Sequence, residues 1–139
     1  MKIVLSPSKT KTITTVGNDG AVHSAVQDGQ FQPHITQDIV KHVQSLDVAA
    51  LGKALKLKDD KAQAIFDFYQ TFESQPVGIA CESYVGIAFK YLNWSNLTEE
   101  AKAFGESHLV VMSALYGVVE PMMGVRDYRL DMVDKVGIN

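Results

Sequence analysis

Three short apolar runs, separated by stretches of helical period, organise this chain. Lys2 to Leu5 reads as a strand that Ser6-Pro7 ends, because proline lacks an N–H donor and restricts the residue before it. From Ile35 the period becomes helical: Ile35, Ile39, Val43 and Leu46 share a face, with Thr36 as candidate N-cap. Asp47 is placed to cap a second helix carrying Val48, Leu51 and Leu55. Asp59 or Asp60 would cap a third, with Ala62, Ile65, Phe66, Tyr69 and Phe72 on its apolar stripe. After Pro76, Val77 to Cys81 reads as a second buried strand, Tyr84 to Leu92 as an amphipathic helix, and Thr98-Glu99-Glu100 as the start of another. His108 to Met112 is the third apolar run. Strands alternating with helices predict one α/β domain over residues 1–139, with flanking helices on a small, largely parallel or mixed sheet. Between the first strand and the first helix the chain is polar. There Thr12–Val16 and Ala21–Ser24 flank Gly17-Asn18-Asp19-Gly20, the pattern of a small hairpin or of a disordered stretch.

Composition narrows the function classes. With 46% hydrophobic and 21% charged residues, 139 residues suit one domain with a modest core. The net charge of −3 excludes a polycation, so any phosphate-binding surface must be local. The lone Cys81 excludes an intrachain disulfide and reads as a small buried hydrophobe; pairing with His108 would span opposite ends of a parallel sheet. His23, His34, His42 and His108 have no metal-ligand spacing, and neither a metal nor another cofactor is expected. The N-terminus lacks a signal peptide's apolar length, and no segment reaches the roughly 18–20 apolar residues of a membrane span. A cytoplasmic protein without membrane contact is the expectation.

Two groups of residues carry candidate chemistry. Short helices meeting at Leu55–Ala62 resemble the helix-hairpin-helix of DNA-binding proteins, in which backbone N–H groups and a lysine hold phosphate without reading sequence. Lys53, Lys56, Lys58 and Lys61 supply the charge, although Lys56 and Lys58 stand where that motif has glycines. An ordinary αα-hairpin with a solvated turn accounts for the same pattern. The second group lies beyond strand ends, where ligands sit in open α/β sheets: Ser6, Lys9, Tyr84, Ser113, Tyr116, Gly117, Arg126, Tyr128 and Arg129 would line an anion cleft. Arg126 and Arg129 would fork onto oxyanions or brace against Asp127, Asp131 or Glu120. Ser6-Pro7-Ser8-Lys9 has the S-x-x-K spacing of penicillin-binding enzymes, but it follows a strand and lacks the companion elements. No catalytic residue is nominated.

Ile3-Val4-Leu5-Ser6-Pro7-Ser8-Lys9-Thr10, Ser113-Ala114-Leu115-Tyr116-Gly117-Val118-Val119-Glu120-Pro121 and Tyr128-Arg129-Leu130-Asp131-Met132 together resemble the YaaA family of bacterial peroxide-stress proteins. Departures are specific: Ala114 stands for a glycine, Glu120 for an arginine, Asp127 for a proline, and Glu82-Ser83 for a Gly-Asp-like pair. The resemblance implies a non-enzymatic protein that binds double-stranded DNA weakly and without sequence preference, with a positively charged cleft and a helix-hairpin-helix. It also implies a link to limiting intracellular iron. Family members are roughly twice as long, so this chain would correspond to their N-terminal half. The alternatives are a domain, enzymatic or not, for a phosphorylated or nucleotide-like molecule, and an inactive fragment. A fragment would be expected to cover its exposed strand edge by forming a homodimer.

Overall fold

The computed structural model describes residues 1–13 and 33–134. The hairpin expected around residues 17–20 lies outside them. Strand β1 (Ile3–Leu5) pairs in parallel with β3 (Leu109–Ser113), Ile3 opposite Leu109 and Leu5 opposite Val111. On the other side of β3 runs antiparallel β4 (Gly117–Val119), giving the order β1-β3-β4. Gly117 takes φ of 78°, a conformation that favours glycine, to close the β3–β4 turn. A separate antiparallel pair joins β2 (Gly78–Ile79) to β5 (Gly124–Val125). The architecture is α/β with a mixed three-stranded sheet. The second apolar run is strand for only two residues. At Ala80 the chain turns into α4 (Ala80–Ser83), closed by Tyr84 N–H donating to Ala80 O at 3.0 Å.

Helices α1 (Pro33–Gln44), α2 (Val48–Leu55) and α3 (Asp59–Gln70) pack together on the core. The inward face of α1 is Thr36, Val40 and Val43, while Ile35 is exposed. Thr36 is therefore not an N-cap: it lies inside the helix, and its hydroxyl donates to Leu115 O at 3.0 Å, tying α1 to the β3–β4 turn. Asp47 does cap α2, accepting from Ala50 N–H at 2.7 Å. The N-cap of α3 is Lys58, with no side-chain hydrogen bond; Asp59 and Asp60 fall in the first turn, where they favour the dipole instead. Ala62, Tyr69 and Phe72 are buried, with Ile65 and Phe66 against the core, as the apolar stripe predicts.

The amphipathic stretch after Tyr84 becomes helical only at α5 (Ile87–Leu92); Tyr84 itself is extended and bridges to Lys11. Thr98 caps α6 (Glu99–His108) through Ala101 N–H at 3.1 Å. α6 buries none of its residues fully. It packs against Trp94, which is buried with Cys81 and Leu109 in a second, smaller apolar cluster. A methyl added at Gly105 would lie 2.6 Å from Trp94 Cζ3 and 3.0 Å from Cη2.

Gly105 gives a prediction with a sign. Gly→Ala inside a helix ordinarily stabilises by about 1 kcal/mol. Here the methyl must displace a buried indole, so Gly105→Ala is expected to lower stability by about 1–3 kcal/mol in urea denaturation. A gain would mean that α6 stands clear of Trp94.

Candidate functional site

The end of β3 anchors a chain of buried hydroxyls. Leu115 N–H and Tyr116 N–H donate to Ser113 Oγ at 3.2 and 3.1 Å. These bonds occupy the acceptor positions of the hydroxyl, so its proton goes to Tyr128 Oη, 2.7 Å away. Tyr84 Oη lies 2.8 Å beyond that. Ser113, Tyr84 and Tyr128 are all buried. Burial raises both phenols above their ordinary pKa, so they stay neutral and hydrogen-bonded. The rings pack edge to face: Tyr116 meets Tyr128 at 5.3 Å and 89°, and Tyr84 meets it at 6.4 Å and 85°. Tyr116 Oη in turn accepts from Arg126 N–H at 3.1 Å.

A buried cation sits against this chain. Lys11 Nζ donates to Tyr128 O at 2.7 Å and to Lys9 O at 3.2 Å, and lies 3.9 Å from the centre of the Tyr128 ring. Burial pulls its ammonium down to about 8 from the ordinary 10.5; the Asp127 carboxylate opposes the shift and Arg129 adds to it. Around it the N-terminal loop is stitched down: Thr12 N–H donates to Ser83 O at 2.8 Å, and Val85 N–H to Ser8 Oγ at 3.0 Å.

These contacts fix the segment 126–131. The Arg126 guanidinium points inward, donating to Gln75 O at 3.2 Å and Glu73 O at 3.4 Å and lying 4.8 Å from the centre of the Phe72 ring. Its neighbour goes the other way. Tyr69 Oη, from α3, donates to Arg129 O at 2.9 Å. Arg129 then lines a cavity of about 660 Å³ with Lys56, Leu57, Lys58, Asp59, Asp60 and Lys61 at the α2–α3 turn. The turn is closed as a helix terminus: Leu57 N–H donates to Gly52 O at 2.8 Å and Lys56 N–H to Lys53 O at 3.4 Å. Lys56 adopts φ of 58° there, the left-handed conformation that favours glycine, whereas Lys58, at φ of −80°, does not. Gly52 is a different case: a methyl there would lie 3.0 Å from Ala62 Cβ, so its lack of one sets how closely α2 approaches α3. Lys53 lines a neighbouring cavity with Lys56 and Val133.

The remaining residues expected at a cleft lie apart. Ser6 lines a groove of about 380 Å³ at the end of β1 with Met112, Leu130 and Met132, and Ser113 borders a smaller one of about 280 Å³ beside it. Lys9 pairs with Asp131, which shares both grooves, at 3.6 Å. Tyr84 touches a third cavity, with Cys81, Phe89 and Trp94. Burial there pushes the Cys81 thiol up to about 12, aided by Glu82. Among the described residues, no three His, Cys, Asp or Glu side chains converge as metal ligands, and no helix is long and apolar enough to cross a membrane.

Ser113, Tyr116, Tyr128 and Arg129 of this arrangement fall within Ser113–Pro121 and Tyr128–Met132, two of the segments that carry the sequence resemblance. A family model described as peroxide stress protein YaaA matches residues 1–139. The chain belongs to that family. It is 30% identical to a UPF0246 protein of Finegoldia magna over 97% of its own length and 52% of the relative's. A UPF0246 protein of Pediococcus pentosaceus is 31% identical over 100% and 53%, and one of Rickettsia bellii 29% over 98% and 53%. The chain thus spans about half the length of the curated relatives it matches.

Lys11 is the main residue of this arrangement that sequence reasoning did not single out. It stands between threonines in a polar stretch, and long-range contacts, the bridge to Tyr84 and the bond to Tyr128 O, bring it inside. Its titration is testable. The folded pKa lies below the unfolded one, so between about pH 8 and 10.5 the unfolded chain holds more protons and stability rises with pH. Cys81 and the tyrosines, whose folded values are raised, tilt the other way. The difference between wild type and Lys11→Met cancels them. Across this window, wild type is expected to gain stability relative to Lys11→Met by up to about 1.4 kcal/mol per pH unit, read from urea midpoints. Parallel pH profiles would show that Lys11 is not desolvated.

Proposed function

We propose that this YaaA-family chain binds double-stranded DNA through its phosphate backbone, weakly and without sequence preference, as part of the peroxide-stress response. The observation that carries the reading is the cavity in which Lys56, Lys58, Lys61 and Arg129 converge on the α2–α3 turn. Arg129 comes from a remote part of the chain, so the grouping is tertiary and not just a lysine-rich turn. The three lysines are exposed, and Arg129 is half-buried. Two carboxylates, Asp59 and Asp60, line the same cavity, leaving a local excess of two positive charges on a chain of net −3.

The start of α3 strengthens the case. No side chain caps it. First-turn N–H groups of a helix and its positive dipole end attract an anion, which is how backbone amides hold phosphate in a helix-hairpin-helix. Such contacts neutralise phosphate and release counterions, and they carry no sequence information. The link to limiting iron extends this reading: a protein lying on DNA is placed where iron and peroxide do damage.

The reading that places one phosphorylated ligand in a cleft lined by Ser6, Lys9, Tyr84, Ser113, Tyr116, Gly117, Arg126, Tyr128 and Arg129 has less support. Arg126 is turned into the core, the Ser113 and tyrosine hydroxyls bond to each other, and Ser6, Tyr84 and Arg129 line different cavities.

The test is fluorescence anisotropy with unrelated duplexes between 25 and 200 mM salt, on the order of the range where phosphate contacts show. With up to four cations engaged, the log–log salt slope is expected between about −2 and −3.6, equal across sequences. Lys58→Glu with Lys61→Glu, or Arg129→Ala alone, should flatten the slope and weaken binding. Salt-independent binding, or binding indifferent to these changes, would contradict the proposal.

A further inference from the structure

We propose that β1 and the groove beside it form a docking surface for a second polypeptide segment: a β-strand supplied by the half of the family architecture that lies outside the match. The inference is independent of DNA binding. β1 stands at the margin of the sheet, and its partner among the described residues is β3 alone. Side chains alternate across a strand, yet Ile3 and Val4, on opposite faces, are 41% and 60% exposed. Parallel pairs are ordinarily covered on both faces, and among the described residues nothing fully covers this Ile-Val-Leu strand.

The Val4 side is already shaped to receive it. A groove of about 380 Å³ runs along this face, lined by Val4, Met112, Leu130 and Met132 with the polar Ser6 and Asp131 at its border, and Met132 is 63% exposed. Methionines suit a surface that remoulds around an incoming side chain. The backbone edge offers N–H and C=O groups to a new strand, the mode by which sheets take up extended peptide.

The lengths of the relatives point to one occupant. The match uses nearly all of this chain but only 52% of the Finegoldia magna protein and 53% of the Pediococcus pentosaceus protein. In those proteins, a comparable length of polypeptide accompanies the matched half and has to pack somewhere. Among the described residues, the β1 edge and the groove beside it are where such a half would find a sheet margin and exposed apolar side chains. A second copy of this chain would bring only another three-residue edge with its own unfilled groove.

The experiment co-expresses this full chain, tagged, with the unmatched half of the Finegoldia magna relative, so that the added half can fold against β1. The complex is then followed by sedimentation velocity and amide hydrogen exchange. A one-to-one complex is expected, with exchange at Ile3–Leu5 slowed at least tenfold relative to the chain alone. Val4→Asp, at an exposed position, should weaken the complex at least tenfold while leaving the circular-dichroism melt and the DNA salt slope unchanged. If the chain purifies alone with β1 exchanging as before, the proposal is overturned. The same holds for a homodimer that protects these amides without the added half, or for a complex indifferent to Val4→Asp.

Discussion

Everything at this site hangs on the hydroxyl of Tyr128. It sits where the end of β3, the strand-like residue after α4 and the loop beyond β5 come together, and it satisfies Ser113 and Tyr84 at once. Either partner left alone in the core would cost about 1–3 kcal/mol, so the three groups constrain each other's positions more tightly than apolar contact would. Once Tyr128 is fixed, its neighbours in sequence have little freedom. Its carbonyl takes the Lys11 ammonium, which draws the N-terminal loop inward. Arg126 is directed onto the carbonyls of Glu73 and Gln75, and Arg129 onto the α2–α3 turn, where the Tyr69 hydroxyl holds its carbonyl.

The site thereby divides its cations by role. Lys11 and Arg126 are internal, bonded to carbonyl oxygens and stacked near aromatic rings. Lys56, Lys58, Lys61 and Arg129 border open space. A chain with excess acid can still present a positive surface if its cations are gathered in one place, and a helix start without a side-chain cap adds to that field. Glu120, which stands where the sequence resemblance would have an arginine, is exposed outside the cavity at the α2–α3 turn. The charge reversal that stands out in the sequence therefore does not fall on this surface.

Local chemistry explains what could be read from the sequence. Asp47 and Thr98 cap their helices because capping needs only the residue and the next turn. The first and third apolar runs form strands as expected, since an apolar run announces itself by composition; that they pair with each other is visible only in the fold. The second run leaves strand geometry after Ile79, where the chain turns into α4, although Ala80 and Cys81 N–H still donate to the carbonyls of Met123 and Pro121. Thr36 was legible as a cap by type, yet the carbonyl of Leu115 gives its hydroxyl a buried partner that sequence cannot show. Tyr84, Ser113 and Tyr128 were all singled out, but as groups facing a ligand; their mutual hydrogen bonds depend on distances across 15 to 44 residues of chain. Arg129 was separated from the lysines on the same ground, and the fold joins them.

The buried hydroxyl chain around Tyr128, with Tyr69 on the Arg129 carbonyl, holds Arg129 at the lysine-bearing turn. A double-mutant cycle of Tyr128→Phe and Arg129→Ala, read as duplex-DNA affinity at one low salt concentration, addresses it directly. Tyr128→Phe is expected to weaken binding severalfold, although the residue is buried. That loss should largely disappear in the Arg129→Ala background, a coupling of at least about 0.5 kcal/mol. Unchanged affinity in Tyr128→Phe, or two losses that simply add, would contradict it.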